Sequence, residues 1–133
     1  EGKKSVLEGV PRSLPAMVKA VRIQEKVRGV GFDWDDSQQV WEKVQEELEE
    51  LKAEVQACDK LKTEQEFGDL LFSLINYSRF VGVNPEDALE RTNKKFIQRF
   101  QQMEAVLKEE GKDLSCMTLS EMDVYWDQSK KTV

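Results

Sequence analysis

Two acidic pairs, Glu47/Glu50 and Glu66/Asp69, are the residues of this chain best placed to do chemistry. Each has i, i+3 spacing, which on an α-helix stacks two carboxylates on one side, about 5–6 Å apart at Cβ. Two helices decorated in this way and set face to face would make a cation site. All-oxygen ligands suit the hard cations Mg²⁺, Mn²⁺ or Ca²⁺ rather than Zn²⁺ or Cu²⁺. The chain has no histidine, which removes Ser-His-Asp triads, His-ligated zinc and imidazole acid–base catalysis together. Any catalysis must run on carboxylates, Lys, Arg, Tyr or a metal.

The elements that would position these acids can be read from hydrophobic spacing. From Asp36 to Cys58 the apolar residues Val40, Val44, Leu48, Leu51 and Val55 recur at steps of three and four, the stripe of an amphipathic helix. At about 100° per residue Glu47 falls at the edge of that stripe and Glu50 about 60° further round, with Lys43 and Glu54 on the same strip. In the next segment, from about Thr63 to Val81, the residues Phe67, Leu70, Leu71, Phe72, Leu74 and Ile75 wrap most of the circumference. They leave a narrow polar lane of Glu66, Asp69, Ser73 and Asn76. A helix apolar nearly all round is a central one. Carboxylates there must be paired, protonated or bound to metal, because an unpaired buried charge costs several kcal/mol. A second use competes for Glu66: Thr63 followed by Glu66 reads as a capping box. Glu46 and Glu49 read as a solvated face.

The short link Asp59 to Lys62 makes these two helices antiparallel neighbours, so that Glu47/Glu50 can oppose Glu66/Asp69. Upstream, Ser13 caps a first helix with Pro15 in its first turn and an apolar side of Met17, Ala20, Val21 and Val27 up to Gly29. A loop, Gly31-Phe32-Asp33-Trp34, follows. Its aromatics fit two roles, stacking on a planar ligand or plugging the end of a bundle. Downstream, Asn84-Pro85-Glu86-Asp87 starts a long helix that runs to Glu110 and is closed by Gly111. Leu89, Phe96, Phe100, Met103 and Leu107 form its core face, and Lys95 and Arg99 lie beside it. That i, i+4 spacing aims two cations at one anionic group or simply decorates a surface helix. Thr118 and Glu121 cap a last short helix carrying Met122, Tyr125 and Trp126.

Composition narrows the partners. A net charge of −6 argues against a nucleic acid polymer, whose binding draws on clustered Lys and Arg. No apolar run approaches 18 residues and no signal-peptide pattern is present, so the chain is expected to be cytoplasmic and independent of membranes. Cys58 and Cys116 are too few and too far apart for a disulfide framework or zinc site. The fold class expected is all-α, an antiparallel four-helix-bundle-like domain over residues 13–133 with an extra short C-terminal helix. Residues 1–12, with weak periodicity and a Gly-Val-Pro turn, read as a linker. The helix around Phe67 to Val81 is apolar over more surface than two neighbours would cover, which predicts a homodimer or higher homo-oligomer.

Taken in order, these residues resemble the MazG-type all-α nucleoside triphosphate pyrophosphohydrolases. The family pattern E-E-x-x-E followed by E-x-x-D stands here as Glu46-Glu47-Leu48-Glu49-Glu50 and Glu66-Phe67-Gly68-Asp69. The likeness extends through Val30-Gly31-Phe32-Asp33-Trp34, Gly68 to Phe72, Asn93-Lys94-Lys95-Phe96 with Arg99-Phe100, and Glu121-Met122-Asp123 with Trp126. The opening Ser-Val-Leu-Glu-Gly-Val-Pro resembles the linker before the second domain of a tandem MazG protein. The resemblance implies Mg²⁺, with Mn²⁺ as an alternative, on Glu47, Glu50, Glu66 and Asp69, with Glu46 in support. It implies the triphosphate on Lys95, Arg99 and Lys62, Asn93 among the substrate contacts, and Trp126 bordering the nucleotide pocket. The implied reaction is hydrolysis between the α and β phosphates, releasing a monophosphate and pyrophosphate and so cleansing the nucleotide pool, with Glu47 or Glu50 accepting the water proton. The alternative is a non-catalytic acidic helical dimer that binds a divalent cation for structure or partner docking.

Overall fold

A computed structural model describes residues 5–131; residues 1–4 and 132–133, the ends of the expected linker and domain, lie outside the described part. Among the described residues every regular element is helical: α1 (Ala16–Arg28), α2 (Ser37–Gln56), α3 (Lys60–Phe80), α4 (Pro85–Glu109), a 3₁₀ turn (Leu114–Cys116) and α5 (Leu119–Ser129). Residues 5–12 of the expected linker hold turns, with Glu8 N–H donating to Ser5 O and Val10 N–H to Leu7 O. No described helix is long and apolar enough to cross a membrane. The chain divides after Glu86 into two compact units.

The first unit is built on the α2–α3 hairpin, with α1 packed on α3. Asp36 starts α2 by accepting from the Gln39 amide at 3.0 Å. The helix runs to Gln56, and the turn reverses through Cys58 at φ 57°, a left-handed conformation that non-glycine residues adopt at a cost. Asp59 then caps α3 by accepting from the Lys62 amide at 3.0 Å. Trp41 near the start of α2 meets Tyr77 near the end of α3, ring centroids 5.1 Å apart, which makes the two helices antiparallel. Gln24 of α1, itself buried, donates from Nε2 to the Phe72 carbonyl at 3.0 Å.

Two expected caps are corrected. Ser13 does not cap α1: the N-cap is Pro15, which supplies no side-chain bond, and its carbonyl accepts from the Lys19 amide at 2.9 Å. Thr63 does not open α3: its hydroxyl donates to the Asp59 carbonyl at 2.7 Å from inside the first turn. The helix therefore starts three residues early, and Glu66 lies in its interior rather than in a cap.

The apolar stripe of α2 is only partly covered. Val40 and Val44 are buried with Ala20 and Ile75, whereas Leu48, Val55, Phe67, Leu71 and Leu74 are exposed. In the second unit Met103 and Leu107 of α4 are buried, and Phe96 contacts both Phe100 and Trp126, centroids 6.2 and 5.0 Å apart. Leu89 and Phe96, expected in the core face, are largely exposed. Gly111, at φ 69°, lets the chain turn out of α4. Thr118 and Glu121 close the expected capping box of α5 with bonds of 3.2 and 2.9 Å.

Candidate metal centre

The hairpin brings one carboxylate oxygen each from Glu47, Glu66 and Asp69 within 4.8 Å of one another. Glu47 enters from α2 and is buried; Glu66 and Asp69, one turn apart on α3, are half-buried and exposed. Lys43, one turn before Glu47, holds Glu47 Oε1 at 2.9 Å and also reaches Glu46 Oε1 at 3.5 Å. Glu47 as partner raises the proton affinity of the Lys43 amine and keeps it charged. The other oxygen of Glu47, Oε2, is buried without a hydrogen-bond partner, and so is Glu66 Oε2.

Glu50, exposed on the next turn of α2, has its carboxyl pushed above the usual range, first by the charge of Glu47 and then by desolvation and by Glu66. The four predicted acids thus lie together, three with converging oxygens and Glu50 beside them. Glu46 points to solvent and pairs with Lys43.

Two buried, unpartnered carboxylate oxygens are expensive unless something positive meets them. A divalent cation fits this donor set: oxygens on opposite sides of Mg²⁺ stand about 4 Å apart, and around Ca²⁺ about 5 Å. Sequence reasoning placed Lys43 on the right strip and missed its role, although the Lys43–Glu47 spacing of four is itself a pairing signal.

The remaining predicted residues fall in two places. Lys62, exposed, lies one turn before Glu66 on α3. Asn93, Lys95, Arg99 and Trp126 belong to the second unit. There, Asn93 and Lys95 are exposed, Arg99 is half-buried with its Nε unpartnered, and Trp126 packs on Phe96, the neighbour of Lys95.

This pairing of a Glu-rich helix with an E-x-x-D helix defines a class, and comparison with known proteins identifies it. The MazG nucleotide pyrophosphohydrolase domain matches residues 36–110. The chain belongs to this family. It is 44% identical over 128 residues to the nucleoside triphosphate pyrophosphohydrolase/pyrophosphatase MazG of Thermotoga maritima, covering 96% of this chain and 49% of that protein. It is 38% identical over 133 positions to the nucleoside triphosphate pyrophosphohydrolase of Escherichia coli K12, covering 98% and 51%. The uncharacterized protein YabN of Bacillus subtilis is 46% identical over 131 residues, covering 98% and 27%. The chain thus spans about half the length of the MazG relatives it matches.

Proposed function

We propose that this chain hydrolyses nucleoside triphosphates between the α and β phosphates, with Mg²⁺ or Mn²⁺ held by Glu47, Glu66, Asp69 and Glu50. The observation that carries the reading is the pair of buried, unpartnered oxygens on Glu47 and Glu66, converging with Asp69. When bound, the cation offsets the charge of the phosphate oxygens and makes water a better nucleophile near neutral pH.

The chain's own residues have separate tasks in this reading. Lys43 holds one oxygen of Glu47 and so turns the other toward the cluster. Of the two candidate bases, Glu47 is engaged with Lys43, which leaves Glu50, exposed on the next turn of α2, the freer to accept the proton. Water adds to phosphorus, its proton passes to Glu50, the α–β bridge breaks, and pyrophosphate departs. Lys95, Arg99 and Lys62 are the cations available to offset leaving-group charge. Asn93 and Trp126 border the substrate, and Glu46 supports the acidic helix from outside through Lys43.

A second copy of the chain is the natural cover for α3, which leaves Phe67, Leu71 and Leu74 between 41% and 52% exposed. Obligate interfaces resemble a core cut in half, and two-fold dimers are the commonest assemblies.

The test is product identification with the purified chain, a panel of nucleoside triphosphates and added Mg²⁺. Monophosphate and pyrophosphate should appear only with metal, and Asp69→Asn or Glu50→Gln should abolish them while leaving the helical spectrum intact. Full turnover in both variants would refute the site. Metal-dependent melting without any product would return the chain to the non-catalytic, cation-binding alternative.

A further inference from the structure

In the second unit a polar clasp, remote in sequence from the acidic pairs, joins the end of α4 to the middle of α5. Gly111, at φ 69°, closes α4, with Gly111 N–H donating to Lys108 O at 3.1 Å and Lys112 N–H to Leu107 O at 2.9 Å. These two bonds make a Schellman turn, which fixes the backbone on both sides of the glycine. Glu110 and Lys112, the residues flanking Gly111, both reach the phenol oxygen of Tyr125 on α5. Tyr125 donates its hydroxyl hydrogen to Glu110 Oε1 at 2.7 Å and accepts from Lys112 Nζ. The ammonium also stands 3.5 Å from Glu110 Oε1 and 5.0 Å from the centre of the Tyr125 ring. The hydroxyl is thus used both as donor to a carboxylate and as acceptor from an ammonium, and phenylalanine can supply neither.

We propose that Tyr125, gripped by Glu110 and Lys112, is a positioning residue for the nucleoside triphosphate: it sets the rotation of α5 and so the place of Trp126 against α4. The inference rests on the triphosphate reading, in which Trp126 borders the substrate, and adds the group that holds Trp126 there. Three observations carry it. Packing alone does not lock α5 onto α4, because a cavity of about 180 Å³ remains between them, lined by Gln102, Met103, Val106, Tyr125, Gln128 and Ser129. Trp126 meets Phe96 with ring centroids 5.0 Å apart, but Phe96 is itself 55% exposed, so burial does not fix the indole either. Tyr125 and Trp126 are consecutive and leave the helix about 100° apart, so a turn of α5 that frees the first moves the second. A turn of about 20° carries a side-chain tip lying about 5–6 Å from the helix axis through about 2 Å. That is enough to take the indole out of register with a nucleotide held by Asn93, Lys95 and Arg99 of α4.

The experiment compares the wild type with Tyr125→Phe, which removes the clasp, and Glu110→Gln, which keeps an acceptor oxygen for the phenol. Each chain carries 5-fluorotryptophan, so that Trp34 and Trp41 of the first unit serve as references for Trp126 in fluorine NMR. Tyr125→Phe should shift or broaden the Trp126 resonance alone. It should raise KM for triphosphates about three- to tenfold, the worth of an ordinary hydrogen bond, with kcat and Mn²⁺ affinity within about twofold. Glu110→Gln should keep KM within about twofold of wild type. An unmoved Trp126 resonance in Tyr125→Phe would overturn the hold on α5, and a shifted resonance with unchanged KM would overturn its bearing on substrate. Lost helicity, or Trp34 and Trp41 resonances that move as well, would make Tyr125 a merely structural residue and overturn the proposal likewise. If the wild type yields no product, the Trp126 resonance decides alone. A shift on adding triphosphate that Tyr125→Phe weakens would support the positioning role and sink the hydrolase; no shift would sink both.

Discussion

Replacing Glu66 by Gln should make the protein more stable without metal and less stable with it. Glu47 and Glu66 present carboxylate oxygens within 4.8 Å of each other. At that separation two unit charges repel by about 3.5 kcal/mol at an effective dielectric of ~20, and by about 0.9 kcal/mol in bulk water. Glu47 is buried and Glu66 half-buried, so the cost lies between these limits, reduced by Lys43 on the far oxygen of Glu47. The Gln amide removes the repulsion and can donate to the unpartnered Glu47 Oε2. A gain of about 1–3 kcal/mol follows for the metal-free form, which at about 3–5 °C per kcal/mol for a chain of this size raises Tm by at least about 3 °C. A cation at a hundredfold excess over its Kd adds about 2.7 kcal/mol to the wild type, and the variant forfeits most of it. Thermal melts in chelator and in excess Mg²⁺ or Mn²⁺ should therefore rank the two proteins in opposite orders. A variant less stable than wild type in chelator, or one showing the full metal-dependent rise, would refute the reasoning.

Further outcomes test the surrounding parts. Lys43→Met should lower metal affinity and turnover together, since it frees Glu47 to rotate; isothermal titration with Mn²⁺ that matches wild type would remove Lys43 from the site. Lys95→Ala and Arg99→Ala should each raise KM for triphosphates by about ten- to a hundredfold, the worth of a charge-assisted hydrogen bond, while Mn²⁺ affinity stays within twofold. Leu74→Glu should dissociate or unfold the assembly, and sedimentation of the wild type at low micromolar concentration should report at least twice the chain mass; an active wild-type monomer would refute the dimer. The Arg79 guanidinium beside Asp33 holds that carboxyl below its ordinary value of 3.8. Its contribution to loop stability is therefore present above pH 3.8 and lost as pH falls through the depressed folded value; an NMR titration of Asp33 with a midpoint at or above 3.8 would contradict the ion pair.

Local chemistry was legible where one residue settles its own surroundings. Asp36 before α2 and the Thr118–Glu121 box before α5 act as their types dictate. Periodicity gave the inward face of α2 but not its cover: Val40 and Val44 are buried, whereas Leu48 and Val55, on the same stripe, face solvent. The Asp33–Arg79 pair joins residues 46 apart, and no local pattern announces such a contact.

Register shows how an error in a cap propagates to a site. Cys58 is the pivot of the hairpin, with Glu50 and Glu66 each eight residues away from it and Glu47 and Asp69 each eleven. Antiparallel helices folded about that point set the two acidic pairs opposite each other. The i, i+3 spacing then puts both members of each pair at the contact. Starting α3 at Thr63 instead moves the pivot two to three residues toward the C-terminus and turns Glu47 toward a point more than a turn beyond Asp69. Asp59 prevents this by capping the helix early, and Thr63 contributes from within by bonding back to the Asp59 carbonyl. The geometry of the acidic cluster therefore depends on a residue outside it: the capping carboxylate of Asp59 sets where α3 begins, and so which side chains of α3 face Glu47.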